Sequence, residues 1–382
     1  MAKTTGNAKD LITFTRASTG TFLGSNGLLQ TAAINTPRVE YDANGVAKGL
    51  LIEEARTNLV TYSEDFTNAS WTKIGSSVSL NATSSPDGSN TADLLTENTA
   101  NSEHSAYVSI GVSAATETFS AFVKSNGRDW VCLRVSISGA WQALSFQIST
   151  NTFGSTTGWD SYASVDMGNG WYRITGTFTN RTNNIVQVQM MDADSSVVYA
   201  GDGTSGIYVW GAQLEAGSFP TSYIPTSGAT ATRSADIASV SVSEFGYNQA
   251  QGSVVVEQSV FQTAGNSVAW QIDDGSQSDR YVFNSYNGNT TVIVSNAAQA
   301  SLTHTGQLAD VVYKHGFAWA SNDFVSTYDG GAIQSDTSGS LPTVTTVRLG
   351  KDAGTSPLNG HIKSINYYPL RLSDAKLQEL TS

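Results

Sequence analysis

The sequence has 382 residues, a formal net charge of −12 at pH 7 and only 14% charged residues, whereas soluble domains have roughly 25%. The negative charge argues against nucleic acid or an anionic membrane as a partner, because both bind clustered Lys and Arg side chains. Gly, Ser, Thr, Asn and aromatic residues are abundant, which favours strands joined by tight turns over long amphipathic helices.

The polar first ten residues lack the apolar core of a signal peptide, and no window approaches the roughly 20 apolar residues of a membrane span. We therefore expect synthesis in a cytoplasm without a signal peptide.

Residues 1–60 are predicted to form an N-terminal arm and attachment region, polar as far as about residue 10. The run ITFTR followed by TGTFLGSNGLLQ indicates a hairpin whose turn is Ser25-Asn26-Gly27. Further along, two adjacent acids stand beside an arginine, with two more arginines upstream. They could be a catalytic acid pair with the charges that tune it, but we favour structural ion pairs that tie the arm to the first sheet. The residues of this set are Arg16, Arg38, Glu53, Glu54 and Arg56.

Residues 61–226 are predicted to form a first antiparallel sandwich. Short alternating runs such as TFSAFVK, WVCLRVSI and IVQVQMM recur at short spacing, and their separators are rich in Gly, Asn, Asp and Ser. Many such strands without an intervening helix are typical of a sandwich. A last strand, IYVWGAQL, leads into a segment with Pro220 and Pro225, which lack the N–H that a central strand needs. Residues 227–236 are therefore predicted to be a linker.

Residues 237–382 are predicted to form a second sandwich, because runs such as GSVVVEQSVF, RYVFNSY and HIKSINYYPL alternate again. The chain then continues with SDAKLQEL, where Ser373 can cap a short helix that has Leu377 and Leu380 on one face. The predicted fold class is all-β, with two antiparallel β-sandwiches preceded by an N-terminal attachment region.

Several of these runs resemble a known family. The run PRVEYDANGVAKGLLIEEARTNLV, followed by YSEDF and Trp71, resembles the opening of virion appendage proteins of tailed bacteriophages, of the head-spike or tail-fibre type. TFSAFVK, NGWYRI and YVWGAQLEAGSFPTSYIPT resemble a carbohydrate-binding-module-like jelly roll. The last domain, with GHIKSINYYPLRLSDAKLQELT, is similar to concanavalin-A-like and laminin-G-like lectin domains. The resemblance implies a structural adhesin on the surface of a virion, with glycan binding in either sandwich, and it supplies no catalytic motif.

A sugar site needs an aromatic side chain whose face packs on a pyranose, with Asn, Asp, Gln or Arg around it. In the first sandwich Trp141 and the loop that begins at Trp159 offer this combination, and in the second sandwich a turn with flanking Arg and Tyr offers a weaker one. A sandwich core also uses aromatic residues, so Trp159 is equally compatible with a place in the core. The predicted glycan-binding residues are Trp141, Trp159, Asp160, Tyr162, Arg280 and Tyr281.

Metal and catalytic motifs are weak. Asp273, Asp274 and Asp279 could bind Ca²⁺ through their carboxylates, but they do not follow the twelve-residue loop between helices, and a hairpin turn with solvated carboxylates is the preferred interpretation. The four histidines lack the close spacing of a zinc site, and no G-x-S-x-G follows a strand and opens a helix. We predict no cofactor and no enzymatic activity, although one sequence does not exclude the two carboxylates of a glycoside hydrolase.

The function expected from the sequence is that of a bacteriophage virion protein, a head spike or tail fibre, that presents lectin-like domains to host-surface polysaccharide. One alternative is a capsid decoration protein without a glycan role. Another is a polysaccharide-degrading tailspike, which the lack of a β-helix repeat opposes. Other virion proteins are the expected partners of the N-terminal region, where Arg233 and Arg16 either dock a neighbouring subunit or anchor their own linkers. A homo-oligomer is expected, although no heptads are long enough for a coiled coil.

Overall fold

The computed structural model describes residues 11–111, 115–137, 139–179, 184–262, 265–304 and 307–382. The described residues form mainly β-strands in antiparallel sheets, which confirms the predicted all-β sandwich fold. The predicted polar arm at residues 1–10 lies outside the described residues. Within the described part of the chain, no helix has the length and apolar character needed to span a bilayer.

The strands are short and follow one another closely along the chain. The N-terminal part contains β1 (Thr13–Thr15), β2 (Gly20–Leu23), β3 (Leu29–Ala32), β4 (Val39–Tyr41), β5 (Ala47–Ile52) and β6 (Arg56–Asn58). The middle part contains β7 (Thr72–Ile74), β8 (Ser76–Thr83), β9 (Ala92–Glu97), β10 (Asn101–Ser102), β11 (His104–Ile110), β12 (Thr116–Asn126), β13 (Trp130–Ile137), β14 (Ala140–Gln147), β15 (Thr152–Thr157), β16 (Ser161–Gly168), β17 (Trp171–Thr179), β18 (Asn184–Met191), β19 (Tyr199–Ala200) and β20 (Gly206–Ala216). The C-terminal part contains β21 (Ala231–Arg233), β22 (Ile237–Ser241), β23 (Gln251–Val260), β24 (Val268–Asp273), β25 (Arg280–Asn284), β26 (Asn289–Val294), β27 (Ala297–Thr303), β28 (Tyr313–Ala320), β29 (Asp323–Tyr328), β30 (Gln334–Asp336), β31 (Thr346–Leu349) and β32 (Gly360–Tyr368), followed by helix α1 (Asp374–Thr381).

The first sandwich consists of two six-stranded sheets. The β13 sheet has the strand order β15-β14-β13-β18-β11-β7, and the β12 sheet has the order β16-β17-β12-β20-β9-β8. Side chains such as Leu133, Val188, Phe119 and Val209 meet between the two sheets and are fully buried. Because successive side chains along a strand point to opposite faces, their neighbours in sequence lie on the outer faces.

The second sandwich consists of two seven-stranded sheets. The β24 sheet has the order β1-β22-β31-β24-β25-β26-β27, and the β23 sheet has the order β30-β29-β28-β23-β32-β5-β4. Its core is strongly aromatic, with Trp270, Phe283, Phe317 and Trp319 all fully buried between the sheets. Helix α1 packs on the outer face of the β23 sheet through Leu377.

Strands from the N-terminal region complete the second sandwich. Strand β1 pairs with β22, and β5 pairs with both β4 and β32. The sequence predicted a separate attachment region over residues 1–60, because strands of three to six residues are too short for their alternation to show which sheet they join. The first sandwich is thus inserted within the chain of the second. Its entry and exit, β6 and β21, pair with each other.

The hairpin predicted at the turn Ser25-Asn26-Gly27 is present and covers the outer face of the β12 sheet, but the run ITFTR does not belong to it, because β1 pairs with β22. Strands β2 and β3 pair in register, and their connecting turn contains Gly27, whose φ of 73° is a conformation that glycine adopts without strain. The hairpin buries Leu23 and Leu29 against Trp171 and Trp210. The β12 sheet therefore has packed side chains on both faces, whereas the outer face of the β13 sheet carries a different kind of surface.

Candidate functional site

The outer face of the β13 sheet carries polar side chains at positions where strand alternation directs them away from the core. Arg134 stands between the core residues Leu133 and Val135, so it projects from the outer face. On the neighbouring strand Gln187 is the cross-strand partner of Arg134, and Gln189 is the partner of Cys132. Arg134, Gln187 and Gln189 are nevertheless buried.

The guanidinium of Arg134 is held by three acceptors. Its Nη1 donates to Glu103 Oε1 at 2.9 Å, to Gln189 Oε1 at 2.8 Å and to Gln187 Oε1 at 3.2 Å. The two glutamines are themselves fixed, because Gln187 Nε2 donates to the Ser105 hydroxyl at 2.6 Å and Gln189 Nε2 donates to a backbone carbonyl at 2.6 Å. The arginine therefore has one orientation set by its neighbours.

The indole of Trp141 lies over this guanidinium. The Cζ atom of Arg134 is 4.2 Å from the centroid of the Trp141 ring, a distance at which the cation attracts the aromatic face. Trp141 keeps 37% of its surface exposed, and the side chain of Glu103 beside the arginine keeps 26%. We call Glu103, Arg134, Trp141, Gln187 and Gln189 the Arg134 face. It combines an exposed aromatic ring, a fixed cation and an accessible carboxylate.

Only Trp141 of this face was predicted as a site residue. The signal for the others was present in the sequence, since Arg134 interrupts the apolar run WVCLRVSI and two glutamines alternate with core residues in IVQVQMM. A polar residue at alternate positions of a strand is ordinarily a solvated one. The burial of these three side chains depends on strand pairings that the sequence alone does not give.

The predicted loop residues Trp159, Asp160 and Tyr162 lie apart from the Arg134 face. Trp159 is partly buried and packs on the sandwich core, with its ring 5.4 Å from that of Phe178 in an edge-to-face arrangement. Asp160 is exposed and accepts a hydrogen bond from the Thr179 hydroxyl at 2.9 Å. Tyr162 is 45% exposed but belongs to the β12 sheet. The structure therefore does not bring Trp141 together with these residues.

Tyr162 lines a cleft of about 600 Å³ where the first sandwich, the β4–β5 segment and the second sandwich meet. Several of its polar groups are engaged with protein atoms, whereas Arg173 Nε is buried without a hydrogen-bond partner among the described residues. Arg173 donates to the Thr221 carbonyl at 2.8 Å and to the Ser120 hydroxyl at 3.0 Å, and Glu40 lies 2.7 Å from His361 Nε2. These contacts are hydrogen bonds and an ion pair that join neighbouring segments of the protein along the cleft.

The arginines and acids predicted as docking residues or structural ion pairs form a buried network. Arg16 pairs with Asp236 at 3.1 Å, Arg38 pairs with both Asp236 and Glu53, and Arg233 lies 3.3 Å from Glu53. The side chains of these five residues are at most 1% exposed. A neighbouring subunit cannot reach side chains at this depth, so the structure places them as internal ion pairs.

The network joins the N-terminal strands to both sandwiches. The Glu53 carboxylate accepts hydrogen bonds from the backbone and hydroxyl of Ser222 at 2.7 Å each, at the exit of the first sandwich. Burial alone raises the pKa of Glu53, but the charges of Arg233 and Arg38 and the Ser222 hydrogen bonds outweigh it and lower the pKa to about 2. An unfolded Glu has a pKa of about 4.3, so this carboxylate stabilises the fold above that pH, and its contribution is lost as the pH falls toward 2.

The remaining pair of this set, Glu54 and Arg56, lies nearer the surface. The two side chains form an ion pair in which Glu54 is about one-third exposed and Arg56 is buried. The Arg56 guanidinium also lies 4.7 Å from the centroid of the Phe219 ring. This pair is thus a further contact between the N-terminal strands and the exit of the first sandwich.

The structure differs from the prediction for one glycan-binding residue of the second sandwich, Tyr281, and it buries Asp273, one of the three acids considered as Ca²⁺ ligands. Tyr281 is fully buried in the core, where the centroid of its ring lies 4.7 Å from that of Trp319, so it cannot contact a surface ligand. Its neighbour Arg280 points to the outer face instead. Asp273 is also fully buried, and Arg348 Nε donates to it at 2.7 Å, whereas Asp274 is exposed. Across the described ranges, no three His, Cys, Asp or Glu side chains are grouped so that they could hold a metal ion.

Together these observations define an all-β protein of two joined antiparallel sandwiches with a polar, aromatic face on the first.

No family model and no curated protein matches the chain. Solved structures give partial likenesses of low sequence identity. The carbohydrate-binding module CBM40 of a Ruminococcus gnavus IT-sialidase, bound to α2,6-sialyllactose, is 14% identical with a TM-score of 0.31, and the match covers 35% of this chain and 85% of that one. Mouse laminin α1 domains LG4-5 are 10% identical with a TM-score of 0.27, over 81% of this chain and 91% of that one. Trypanosoma rangeli sialidase is 10% identical with a TM-score of 0.31, over 76% of this chain and 60% of that one.

Proposed function

We propose that this protein is a non-enzymatic glycan-binding protein that contacts polysaccharide through the Arg134 face. The observation that carries the proposal is the position of Trp141, which stays exposed while Arg134 holds it from below. An indole ring offers a flat apolar surface to the C–H face of a sugar ring. Glu103 stands beside it and accepts hydrogen bonds, which suits the hydroxyl groups of a sugar.

The polar network under Trp141 fixes a cation beneath an exposed aromatic ring. A buried arginine costs free energy to desolvate, and its ion pair with Glu103 offsets this only in part. The network faces away from the sandwich core, so the core gains no packing from it. A fixed arginine does, however, hold the aromatic ring in one orientation before a ligand arrives, which lowers the entropy lost on binding.

We further propose that the protein is displayed on a bacteriophage virion, as a head spike or tail fibre, where it meets host-surface polysaccharide. The support is the resemblance of PRVEYDANGVAKGLLIEEARTNLV to virion appendage proteins. In this proposal other virion proteins are its partners and the chain forms a homo-oligomer. The buried state of Arg16, Arg38 and Arg233 means that docking would use other residues.

A glycan array of bacterial surface polysaccharides tests the binding function with three proteins. We expect the wild type to bind at least one polysaccharide, and Trp141→Ala to lose roughly 10- to 100-fold in affinity, since an aromatic platform contributes about 1–3 kcal/mol. Tyr162→Ala is the matched control, because it removes another exposed aromatic residue of the same sandwich and should bind as the wild type does.

Three outcomes would contradict the proposal. Binding that is lost in Tyr162→Ala and kept in Trp141→Ala would move the site to the cleft between the sandwiches. Absence of binding by the wild type would favour a capsid decoration protein without a glycan role. Release of reducing sugar from a bound polysaccharide would show hydrolysis and overturn the non-enzymatic assignment.

A further inference from the structure

A second polar pocket lies on the outer face of the β24 sheet in the second sandwich. It has a volume of about 240 Å³, smaller than the roughly 300–1,000 Å³ of sites for drug-sized ligands, so it suits one sugar-sized ring. Strand alternation builds it in the same way as the Arg134 face, since Arg280, Val282 and Asn284 alternate with the core residues Tyr281 and Phe283.

Arg280 is the cation of this pocket and has no acid bonded to it. Among the described residues, no hydrogen bond or ion pair within 4.0 Å reaches its guanidinium. Burial lowers the pKa of Arg280, and the charges of Asp352 and Asp273 act in the opposite direction; an arginine nevertheless stays protonated at neutral pH. The pocket therefore contains a permanent, half-buried cation whose donors are not used by the protein.

The two nearby carboxylates are already occupied by other donors. Asp273 accepts from Arg348 Nε at 2.7 Å, from Gln271 Nε2 at 2.9 Å and from the Gly275 backbone at 2.7 Å. Asp352 accepts from Gln277 Nε2 at 2.9 Å and from the backbone N–H of residue 356 at 2.9 Å. Neither acid bonds directly to Arg280, although the charges of both act on it and Asp352 lines the same pocket. The guanidinium N–H groups are therefore free to donate to an anion from outside.

The floor of the pocket adds one unpaired amide oxygen, and the rim adds two asparagines. Gln271 is fully buried and lines the pocket, and its Oε1 has no hydrogen-bond partner among the described residues. An unpartnered buried oxygen costs about 1–3 kcal/mol unless a ligand donates to it. Asn266 and Asn287 lie at the exposed rim. Their Oδ1 atoms accept from Asn284 Nδ2 at 3.2 Å and from the Asn289 backbone N–H at 3.1 Å, and their amide N–H groups can donate to the hydroxyl groups of a ligand.

We propose that this pocket binds the carboxylate of a single acidic sugar, with Arg280 on the carboxylate and the amides of Gln271, Asn266 and Asn287 on the ring hydroxyls. The guanidinium fork matches a carboxylate in two parallel hydrogen bonds. This second site uses no residue of the Arg134 face, so either site can fail in experiment without the other.

Titrations of the full chain with glucuronate, glucose and acetate, followed by nuclear magnetic resonance at low ionic strength, test this site. We expect glucuronate to bind about 10- to 100-fold more tightly than glucose, because charge-assisted hydrogen bonds to Arg280 are lost with the neutral sugar. Acetate should bind as weakly as glucose, since it lacks the hydroxyls. Arg280→Gln should bring glucuronate to the affinity of glucose.

Two controls separate this site from other effects. Lys363→Gln removes one positive charge from an exposed position of the same domain, and Trp141→Ala disables the Arg134 face; both should bind glucuronate as the wild type does. The proposal is overturned if glucose and glucuronate bind alike, if acetate binds as tightly as glucuronate, if Arg280→Gln keeps the preference, or if no resonance near the pocket shifts.

Discussion

Asp236→Asn is expected to lower the free energy of unfolding by about 3–5 kcal/mol, the usual effect of removing one partner of a buried ion pair. The Asp236 carboxylate accepts from Arg16 at 3.1 Å and from the Glu53 backbone N–H at 2.9 Å, and it also bonds to Arg38. Asparagine keeps the shape of the side chain but leaves two buried arginines with one negative charge fewer. Urea unfolding followed by tryptophan fluorescence measures the change.

The matched control is Asp323→Asn, whose carboxylate pairs with Arg371 at the surface and is 45% exposed. A surface pair of this kind contributes about 0–1 kcal/mol, so the control should unfold close to the wild type. Equal midpoints for Asp236→Asn and the control would mean that the buried network does not hold the N-terminal strands to the two sandwiches.

Arg134→Met is expected to weaken both the fold and glycan binding. The three acceptors Glu103, Gln187 and Gln189 lose their common donor, which costs about 1–3 kcal/mol of stability because buried amide oxygens are left unsatisfied. The Trp141 ring loses the cation that holds it, and we expect affinity for the array ligand to fall by about tenfold or more. Denaturant unfolding and a binding titration below the unfolding transition measure the two effects.

A triple variant separates structure from function in this prediction. Arg134→Met combined with Gln187→Leu and Gln189→Leu removes the donor and its two amide acceptors together, so no amide oxygen is left unsatisfied. The two glutamine substitutions also remove the donors to the Ser105 hydroxyl and to a backbone carbonyl. We expect this protein to regain part of the lost stability but not the affinity. Wild-type affinity in the triple variant would show that Arg134 has a structural role only.

The sequence predicted the fold class and most strands because alternation of apolar and polar residues repeats along each strand. It did not predict that β1, β4 and β5 belong to the second sandwich. Strands β1 and β5 pair with strands more than 200 residues away in sequence, and β4 joins the sheet only through β5. The capped C-terminal helix was predicted correctly, because Ser373 and its hydrogen bond to Lys376 N are local.

The candidate sites were harder to predict because they depend on which face of a sheet each residue occupies. A shift of one position along a strand moves a side chain to the other face of the sheet. For this reason Tyr281 is buried in the core, whereas its neighbour Arg280 lines the pocket on the outer face. Trp141 was recognised from its residue type alone. Arg134, Gln187 and Gln189 come from strands β13 and β18, and only the pairing of these strands brings them under the indole.

The measurement that most directly tests the central claim is a titration of ¹⁵N-labelled protein with an oligosaccharide from the bound polysaccharide, observed at the tryptophan indole N–H groups. Trp141 can be assigned with Trp141→Phe, and the buried Trp210 serves as an internal reference. We predict that the Trp141 indole resonance shifts progressively to saturation while that of Trp210 stays in place. An unchanged Trp141 resonance at saturating oligosaccharide would contradict glycan binding at the Arg134 face.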